Sequence, residues 1–184
     1  MLYAPTWRED LATAPRAAAM ADHLDLEAAA EVLGGDYVIL LRGHRFHARN
    51  PVRRARTARV VDVTDHPEIN DLILASDAAV LDYSSLRFDY AQTGKPMLFL
   101  VPDLDSYTEG LRGFLFDFAS SAPGPLVRDA SEVVELLRDI GGLAARCAPD
   151  IAAFNERFQR FQDGRAAERV ADAFFGSPVR GQGQ

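Results

Sequence analysis

The chain has 184 residues, of which 48% are hydrophobic and 26% charged, a composition typical of a globular domain with one hydrophobic core. Its net charge of −7 disfavours broad nucleic-acid binding, which requires basic surfaces, so we expect no nucleic-acid partner. The single cysteine, Cys147, excludes an internal disulfide and a cysteine-based metal cluster. No apolar run approaches the ~20 residues that span a bilayer, and no basic segment followed by an apolar one opens the chain. We therefore expect a cytoplasmic protein.

Short apolar runs alternate with helical stretches along the chain, a pattern typical of βαβ units around a parallel sheet. The runs predicted to form strands are residues 1–3, 37–41, 59–63, 78–81 and 96–101. The predicted helices cover residues 24–33, 69–75, 85–93, 131–140, 149–161 and 165–175. The sequence thus predicts an α/β fold, a Rossmann-like doubly wound parallel sheet, in one domain over residues 1–175 with a flexible tail over 176–184.

Glycine, proline and serine mark the expected ends of these helices. Gly34 and Gly94 are predicted to terminate helices, because glycine adopts a positive φ at low cost. Pro96, just after Gly94, cannot continue a helix. Ser131 is predicted to cap the N-terminus of the helix that it begins.

Residues 102–125 are rich in proline, glycine and aromatic side chains, and are predicted to form an ordered loop region. Its acids are expected to be solvated: Asp103, Asp105, Glu109 and Asp117. Because histidines and acids do not fall at metal-ligand spacing, we predict no metal site. No G-x-G-x-x-G follows a strand and no Walker A run exists, so we also predict no cofactor.

Residues 42–56 form a basic segment with six arginines, two histidines and no acidic residue. A solvated loop is one interpretation, and an anion site for a substrate phosphate or a lipid headgroup is the other. His44 lies in this segment just past a predicted strand. Histidine titrates near neutral pH, so His44 is a candidate acid, base or phosphate ligand, with a solvated loop side chain as the alternative.

A predicted strand at residues 78–81 runs into Asp82-Tyr-Ser-Ser, and a helix is expected to begin at or just after Ser85. Open parallel sheets bind ligands at the carboxyl ends of their strands. The backbone N–H groups and the dipole of the following helix favour phosphate there, and the hydroxyls of Ser84 and Ser85 add donors. Both serines are therefore candidate phosphate ligands, and plain N-capping is the alternative role.

Several motifs together resemble the family of CDP-glycerol glycerophosphotransferases, which prime or polymerise wall teichoic acid and related capsules. They occur in the family's order over roughly residues 1–175. The motifs are Leu2-Tyr-Ala-Pro-Thr-Trp-Arg, Leu41-Arg-Gly-His, Ala75-Ser-Asp-Ala-Ala-Val-Leu-Asp-Tyr-Ser-Ser-Leu-Arg-Phe-Asp-Tyr, Gly94-Lys-Pro, Leu111-Arg-Gly-Phe-Leu-Phe-Asp, Pro123-Gly-Pro-Leu and Phe161-Gln-Asp-Gly. The resemblance implies the C-terminal, donor-binding lobe of a GT-B-type enzyme.

The resemblance also implies roles for individual residues. His44, in the Leu-Arg-x-His motif, corresponds to a functional histidine and is the predicted catalytic residue. The residues predicted to bind the donor CDP-glycerol are Arg42, Asp82, Ser84, Ser85 and Arg112. In the implied reaction a hydroxyl of a polymeric or lipid-linked acceptor displaces CMP at the β-phosphate. His44, Arg112 and the Ser84–Ser85 helix terminus hold the diphosphate and stabilise the departing CMP.

The sequence departs from the family in one respect. Family members carry an N-terminal lobe with a His-Gly-Thr-Pro-Leu-Lys motif, whose histidine is taken as the base, and this sequence has no such motif. We therefore expect the chain alone to form half of an active site, with a separately encoded N-terminal lobe as a partner. A truncated reading frame and a non-catalytic nucleotide-binding or assembly module are the alternatives. Peripheral contact with the inner face of the plasma membrane, through the basic segment, is a further expectation.

Overall fold

The computed structural model describes residues 1–6, 12–14, 17–18, 23–44, 59–111 and 114–176, with backbone alone at 12–14, 17–18 and 110–111. Its first half contains β1 (Leu2–Tyr3), β2 (Ala12–Ala14), β3 (Ala17–Ala18), α1 (Leu26–Leu33), β4 (Ile39–Leu41), β5 (Val60–Asp62), α2 (Ile69–Ala75) and β6 (Ala79–Leu81). Its second half contains α3 (Leu86–Ala91), β7 (Met97–Leu100), α4 (Leu104–Ser106), β8 (Leu126–Val127), α5 (Ala130–Arg138), α6 (Ile140–Phe158) and α7 (Ala166–Phe175).

Six strands form one parallel sheet in the order β5-β4-β1-β6-β7-β8, and β2 pairs with β3 in a separate antiparallel hairpin. Numbered along the chain, the six strands follow the order 3-2-1-4-5-6 of doubly wound dinucleotide-binding sheets. The strand order reverses between β1 and β6. In open α/β sheets this switch point opens a crevice at the carboxyl ends of the strands, and ligands bind there.

The core lies along the central strands. Every residue of β6 and β7 is buried, as expected for strands of a parallel sheet with helices on its faces. Helix α1 packs against α5, and α3 packs against α6. The α/β fold and the parallel sheet predicted from the sequence are therefore confirmed.

The predicted helix ends are confirmed at both glycines, since Gly34 has φ 66° and Gly94 has φ 69°. The predicted cap at Ser131 is wrong. Helix α5 begins one residue earlier, because the Asp129 side chain accepts a hydrogen bond from the backbone N–H of Ser131 at 2.6 Å. A carboxylate accepts from backbone amides more strongly than a hydroxyl does.

The start predicted for the penultimate helix, at residue 149, is also wrong. Helix α6 begins at Ile140, where Asp139 accepts from the N–H of Gly142 at 2.9 Å, and Pro149 lies inside the helix. Burial of Leu143 and Cys147 on the early turns offsets the hydrogen bond that proline removes. Strand β8 was not predicted, because two residues carry too little pattern to distinguish a strand from a loop.

Helix α7 ends the described part of the chain, and all its residues are exposed. Val170, Phe174 and Phe175 are its large exposed apolar side chains. The predicted flexible tail lies outside the described residues, apart from Gly176. Among the residues that the structure describes, no helix is both long and apolar enough to cross a membrane.

Candidate functional site at the carboxyl edge of the sheet

All six parallel strands end at one edge, and the segments that follow them carry the predicted site residues. Residues 4–6 follow β1, residues 42–44 follow β4, and residues 82–85 follow β6. Because β1 lies between β4 and β6, the two turns with predicted site residues flank the strand at the switch point. Strand spacing of about 4.8 Å puts the axes of β4 and β6 roughly 10 Å apart.

Asp82 is buried and links β6 to β1 across the switch point. Its two carboxylate oxygens accept from Thr6, from the backbone N–H at 2.8 Å and from the hydroxyl at 2.5 Å. Hydrogen bonds to an ionised acceptor are the stronger kind, and burial increases the cost of losing them. The carboxylate thus has a structural role, and its predicted contact with a ligand stays a prediction.

Ser84 and Ser85 differ in what their hydroxyls do. The Ser84 hydroxyl accepts from the backbone N–H of Leu86 at 3.2 Å, a local contact that begins α3. Ser85 occupies the N-cap position with helical dihedrals, its side chain makes no capping hydrogen bond, and it is exposed. Of the two serines, Ser84 is therefore the one whose hydroxyl bonds to the backbone at the start of α3, and the phosphate contacts predicted for both stay predictions.

Arg42 fastens the end of β4 to the turn after β5. Its Nη1 donates to the carbonyl oxygens of Val63 at 2.9 Å, Thr64 at 2.7 Å and His66 at 2.5 Å. The backbone N–H of Gly43 also donates to the Thr64 hydroxyl at 2.9 Å. Nη1 of the guanidinium thus bonds to backbone carbonyl groups of the protein itself. The substrate contact predicted for Arg42 stays a prediction.

His44 follows directly and is exposed at the same edge. Residues 45–58, which include the rest of the basic segment, lie outside the described residues. Arg112 also lies outside them, so its predicted contact with the donor has no structural description.

An aromatic cluster that sequence reasoning missed packs beside the turn after β6. The Tyr83 ring stacks on Tyr107 at 3.9 Å between centroids, and it also contacts Phe114 and Phe118. Tyr83 donates its hydroxyl hydrogen to Oδ1 of Asp103 at 2.8 Å. The expectation of a solvated Asp103 is therefore wrong, because this carboxylate accepts a hydrogen bond from a buried phenol.

Tyr107 begins a π-helical turn, Tyr107–Leu111. Such turns are rare and often occur at functional sites. Thr6 and Asp103, the hydrogen-bond partners of Asp82 and Tyr83, did have a signal in the sequence. Each follows a predicted parallel strand, as His44 and Asp82 do. The criterion used for the predicted residues was a polar side chain just past the carboxyl end of a predicted strand. Applied to every predicted strand, it selects Thr6 and Asp103 as well.

Arg87 lies behind the turn, on α3, and is 5% exposed. Its guanidinium carbon lies 4.6 Å from the centroid of the Phe118 ring and 5.2 Å from that of Phe88, within cation–π range. Its Nη1 has no hydrogen-bond partner, and burial lowers the pKa of the guanidinium. The guanidinium is a buried positive charge on the first turn of α3, and a positive charge favours an anion nearby.

Two other features of the described residues do not point to ligand chemistry at this edge. No group of three or more histidine, cysteine or acidic side chains in the described ranges could hold a metal ion. A groove beside β8 and α5 is lined by Glu132, Glu135 and Arg146 among others, and its two carboxylates outnumber its one guanidinium, which disfavours phosphate.

Comparison with known proteins gives relatives along nearly the whole chain. The family described as CDP-Glycerol:Poly(glycerophosphate) glycerophosphotransferase matches residues 1–176. The teichoic acid poly(glycerol phosphate) polymerase of Bacillus subtilis (strain 168) is 36% identical over 175 residues, which are 95% of this chain and 24% of that protein. The teichoic acid glycerol-phosphate transferase of Staphylococcus aureus (strain NCTC 8325 / PS 47) is 35% identical over 175 residues, 95% of this chain and 44% of that protein.

Solved structures agree with these relatives. A variant of the wall teichoic acid polymerase TagF gives a TM-score of 0.79 at 31% identity, covering 94% of this chain and 42% of that one. A TagF structure with CDPG after a 15 minute soak gives a TM-score of 0.78. The chain thus spans less than half the length of these proteins. The likeness agrees with the predicted fold, a Rossmann-like half of a GT-B-type architecture.

Proposed function

The chain belongs to the CDP-glycerol:poly(glycerophosphate) glycerophosphotransferase family, and we propose that it binds the CDP-glycerol donor of a transferase that extends a teichoic-acid-like or capsule-like polymer. The observation that carries the proposal is the switch point between β1 and β6. The two strands beside β1 in the sheet are β4 and β6, and the turn after each carries an exposed polar side chain. These side chains are His44 after β4 and Ser85 after β6. The TagF structure with CDPG, at 31% identity, supports a donor of this chemical class.

The proposed site binds the diphosphate of the donor between the two turns. His44 approaches it from the end of β4, and Ser85 approaches it from the start of α3. Arg112 is proposed to contact the same diphosphate, and Arg87 contributes its buried positive charge from behind the turn. Because phosphoryl transfer depends mostly on positioning and on neutralising charge, these residues stabilise the departing CMP.

The base that deprotonates the acceptor hydroxyl is proposed to come from a second lobe. The relatives are more than twice as long as this chain, which leaves room in them for such a lobe. The chain alone is therefore expected to bind the donor without transferring it. Its location is proposed to be cytoplasmic, with the basic segment in peripheral contact with the inner face of the membrane, where a lipid-linked acceptor would lie.

Isothermal titration calorimetry of the 184-residue chain with CDP-glycerol, CDP-ribitol and CMP tests the proposal. CDP-glycerol should bind more tightly than CMP, since only the former carries the diphosphate. His44→Ala and Ser85→Ala should each weaken CDP-glycerol binding by about tenfold or more, because one charge-assisted hydrogen bond contributes ~1.5–3 kcal/mol. Neither variant should shift the urea midpoint, since both side chains are exposed.

Asp77→Ala is a matched control, because Asp77 is exposed at the opposite end of β6. It should leave the affinity unchanged. If the chain binds CDP-glycerol no better than CMP, it does not recognise the diphosphate. If both variants bind CDP-glycerol like the parent, the diphosphate site is elsewhere. Acceptor-dependent release of CMP by the chain alone at ~1 per second, an ordinary enzymatic rate, would refute the need for a second lobe. Tight binding without turnover, even after the N-terminal lobe of a relative is supplied, favours the non-catalytic module.

A further inference from the structure

We propose that Tyr83 and Asp103 form a positioning pair that fixes the Ser84–Ser85 turn in its donor-binding geometry. The inference rests on the proposed function, because it assigns the residues that hold the proposed site rather than those that touch the donor. Neither residue was selected by sequence reasoning, and Asp103 was expected to be solvated.

Three consecutive residues of the turn are tied to three different parts of the fold. Asp82 accepts from Thr6, after β1, at 2.8 Å and 2.5 Å. Tyr83 donates to Asp103, after β7, at 2.8 Å. Ser84 accepts from the N–H of Leu86, in α3, at 3.2 Å. Since β1 and β7 are the two sheet neighbours of β6, the turn is held from both sides.

Asp103 is itself fixed by hydrogen bonds to its backbone. Its backbone oxygen accepts from the N–H of Tyr107 at 2.9 Å and from the Ser106 hydroxyl at 3.0 Å. The ring of Tyr107 stacks on that of Tyr83, with 22° between the ring planes. The hydrogen bond and the stacked rings therefore join the same two segments.

The hydroxyl of Tyr83 can be removed while the packing of its ring is kept. Tyr83 is 9% exposed, and its ring contacts Tyr107, Phe114 and Phe118. In Tyr83→Phe these ring contacts remain and the hydrogen bond to Asp103 is lost. A change in donor affinity in that variant thus reports on the position of the turn.

Titration of the Tyr83→Phe chain with CDP-glycerol is the first experiment. We expect the affinity to fall three- to tenfold, because the adjacent Ser84–Ser85 turn then loses its hydrogen bond to the segment after β7 and keeps only the ring contacts on that side. The matched control is Tyr90→Phe. Tyr90 is fully buried on α3, and its hydroxyl lies 3.2 Å from that of Ser76, before β6, at the opposite edge of the sheet. It should lower the urea midpoint comparably and leave the affinity unchanged.

Substitutions of Asp103 test whether this residue acts by positioning the turn or by the charge of its carboxylate. Asp103→Asn keeps an oxygen that can accept from Tyr83, so its affinity should stay within about twofold of the parent. Asp103→Ala should match Tyr83→Phe, and the double variant should lose no more than either single one, as expected of two partners in one interaction. If the Asp103 carboxylate instead acted on the donor by its charge, Asp103→Asn would tighten the binding of the anionic diphosphate.

Amide hydrogen exchange separates a failure of this inference from a failure of the proposed function. Tyr83→Phe should speed exchange at Leu86 and Phe88, whose N–H groups bond to the turn, and Tyr90→Phe should not. Faster exchange in a chain that does not bind CDP-glycerol retains the positioning pair and refutes the donor site. Unchanged exchange with unchanged affinity in Tyr83→Phe overturns the positioning role.

Discussion

The two turns that flank β1 hold their polar side chains in different ways. After β6, the turn is largely buried: Asp82 and Tyr83 reach sideways to the ends of the neighbouring strands, and Ser84 bonds to its own helix. After β4, the segment is partly exposed, and Arg42 reaches one neighbour, the turn after β5.

In each turn the residues divide into those that hold backbone in place and those that stay exposed at the edge. Arg42 and Asp82 belong to the first group, and His44 and Ser85 to the second. A motif therefore mixes residues that hold a turn in place with residues that stay exposed at the edge, where we propose that the donor binds. Substitutions in the two turns test this division.

Asp82→Ala should have the largest effect on stability. It leaves two donors of Thr6 without their buried acceptor, which should cost about 3 kcal/mol in the free energy of unfolding. Urea denaturation measures the loss, and the control is the exposed Asp77→Ala. Stability equal to the parent together with weaker donor binding would mean that Asp82 meets the ligand rather than holding the turn.

The phenol of Tyr90, at the opposite edge, provides a reference for a buried hydroxyl that is remote from both turns. Burial raises its pKa to about 12, above the ~10 of an unfolded chain. The neutral phenol is thus favoured in the folded state, so its stabilising contribution is complete below pH ~10 and is lost as the pH rises towards 12. The free energy of unfolding should fall by about 2–3 kcal/mol over this window.

Denaturation curves at pH 9 to 12 should have a flatter slope in Tyr90→Phe. Some slope should remain, because burial also raises the pKa of Tyr37. An identical slope in the parent and in Tyr90→Phe would contradict the assignment of the alkaline loss to Tyr90.

Arg42→Ala should cost about 2 kcal/mol, because three carbonyl oxygens lose one shared donor. Arg138→Ala is the control, since Arg138 makes an exposed i,i+3 ion pair of the kind that contributes ~0.2–1 kcal/mol. Donor affinity measured on the same samples tests the division of roles in this turn. A large loss of affinity with unchanged stability would assign Arg42 to the ligand.

The smallest effect is expected at the two serines. Ser84→Ala should cost about 0.5–1 kcal/mol, because the N–H of Leu86 loses a local acceptor. Ser85→Ala should change stability by less than about 0.5 kcal/mol, since its side chain makes no capping hydrogen bond. Thermal melts of both variants measure the difference. A reversed order would mean that Ser85, and not Ser84, stabilises the start of α3.

The sequence alone predicted the parallel sheet and the strands that carry the site. Buried parallel strands are short apolar runs, and the glycines at 34 and 94 mark helix ends, so both features are local patterns. The same patterns located Ser84, Ser85 and His44, because each lies shortly after such a run, and the resemblance to the family added Asp82. The start of α6 was wrong for the opposite reason: a proline is a local signal to end a helix, and tertiary packing overrode it.

The tertiary structure alone decided which of these side chains hold the fold and which stay exposed. The partners of Asp82 and Tyr83 are 76 and 20 residues away along the chain. Their contacts depend on a strand order that places β6 between β1 and β7, and no local pattern specifies that order. Whether a polar side chain bonds to the protein or stays exposed depends on which residues the neighbouring strands place next to it. Those neighbours are set only when the strands have paired.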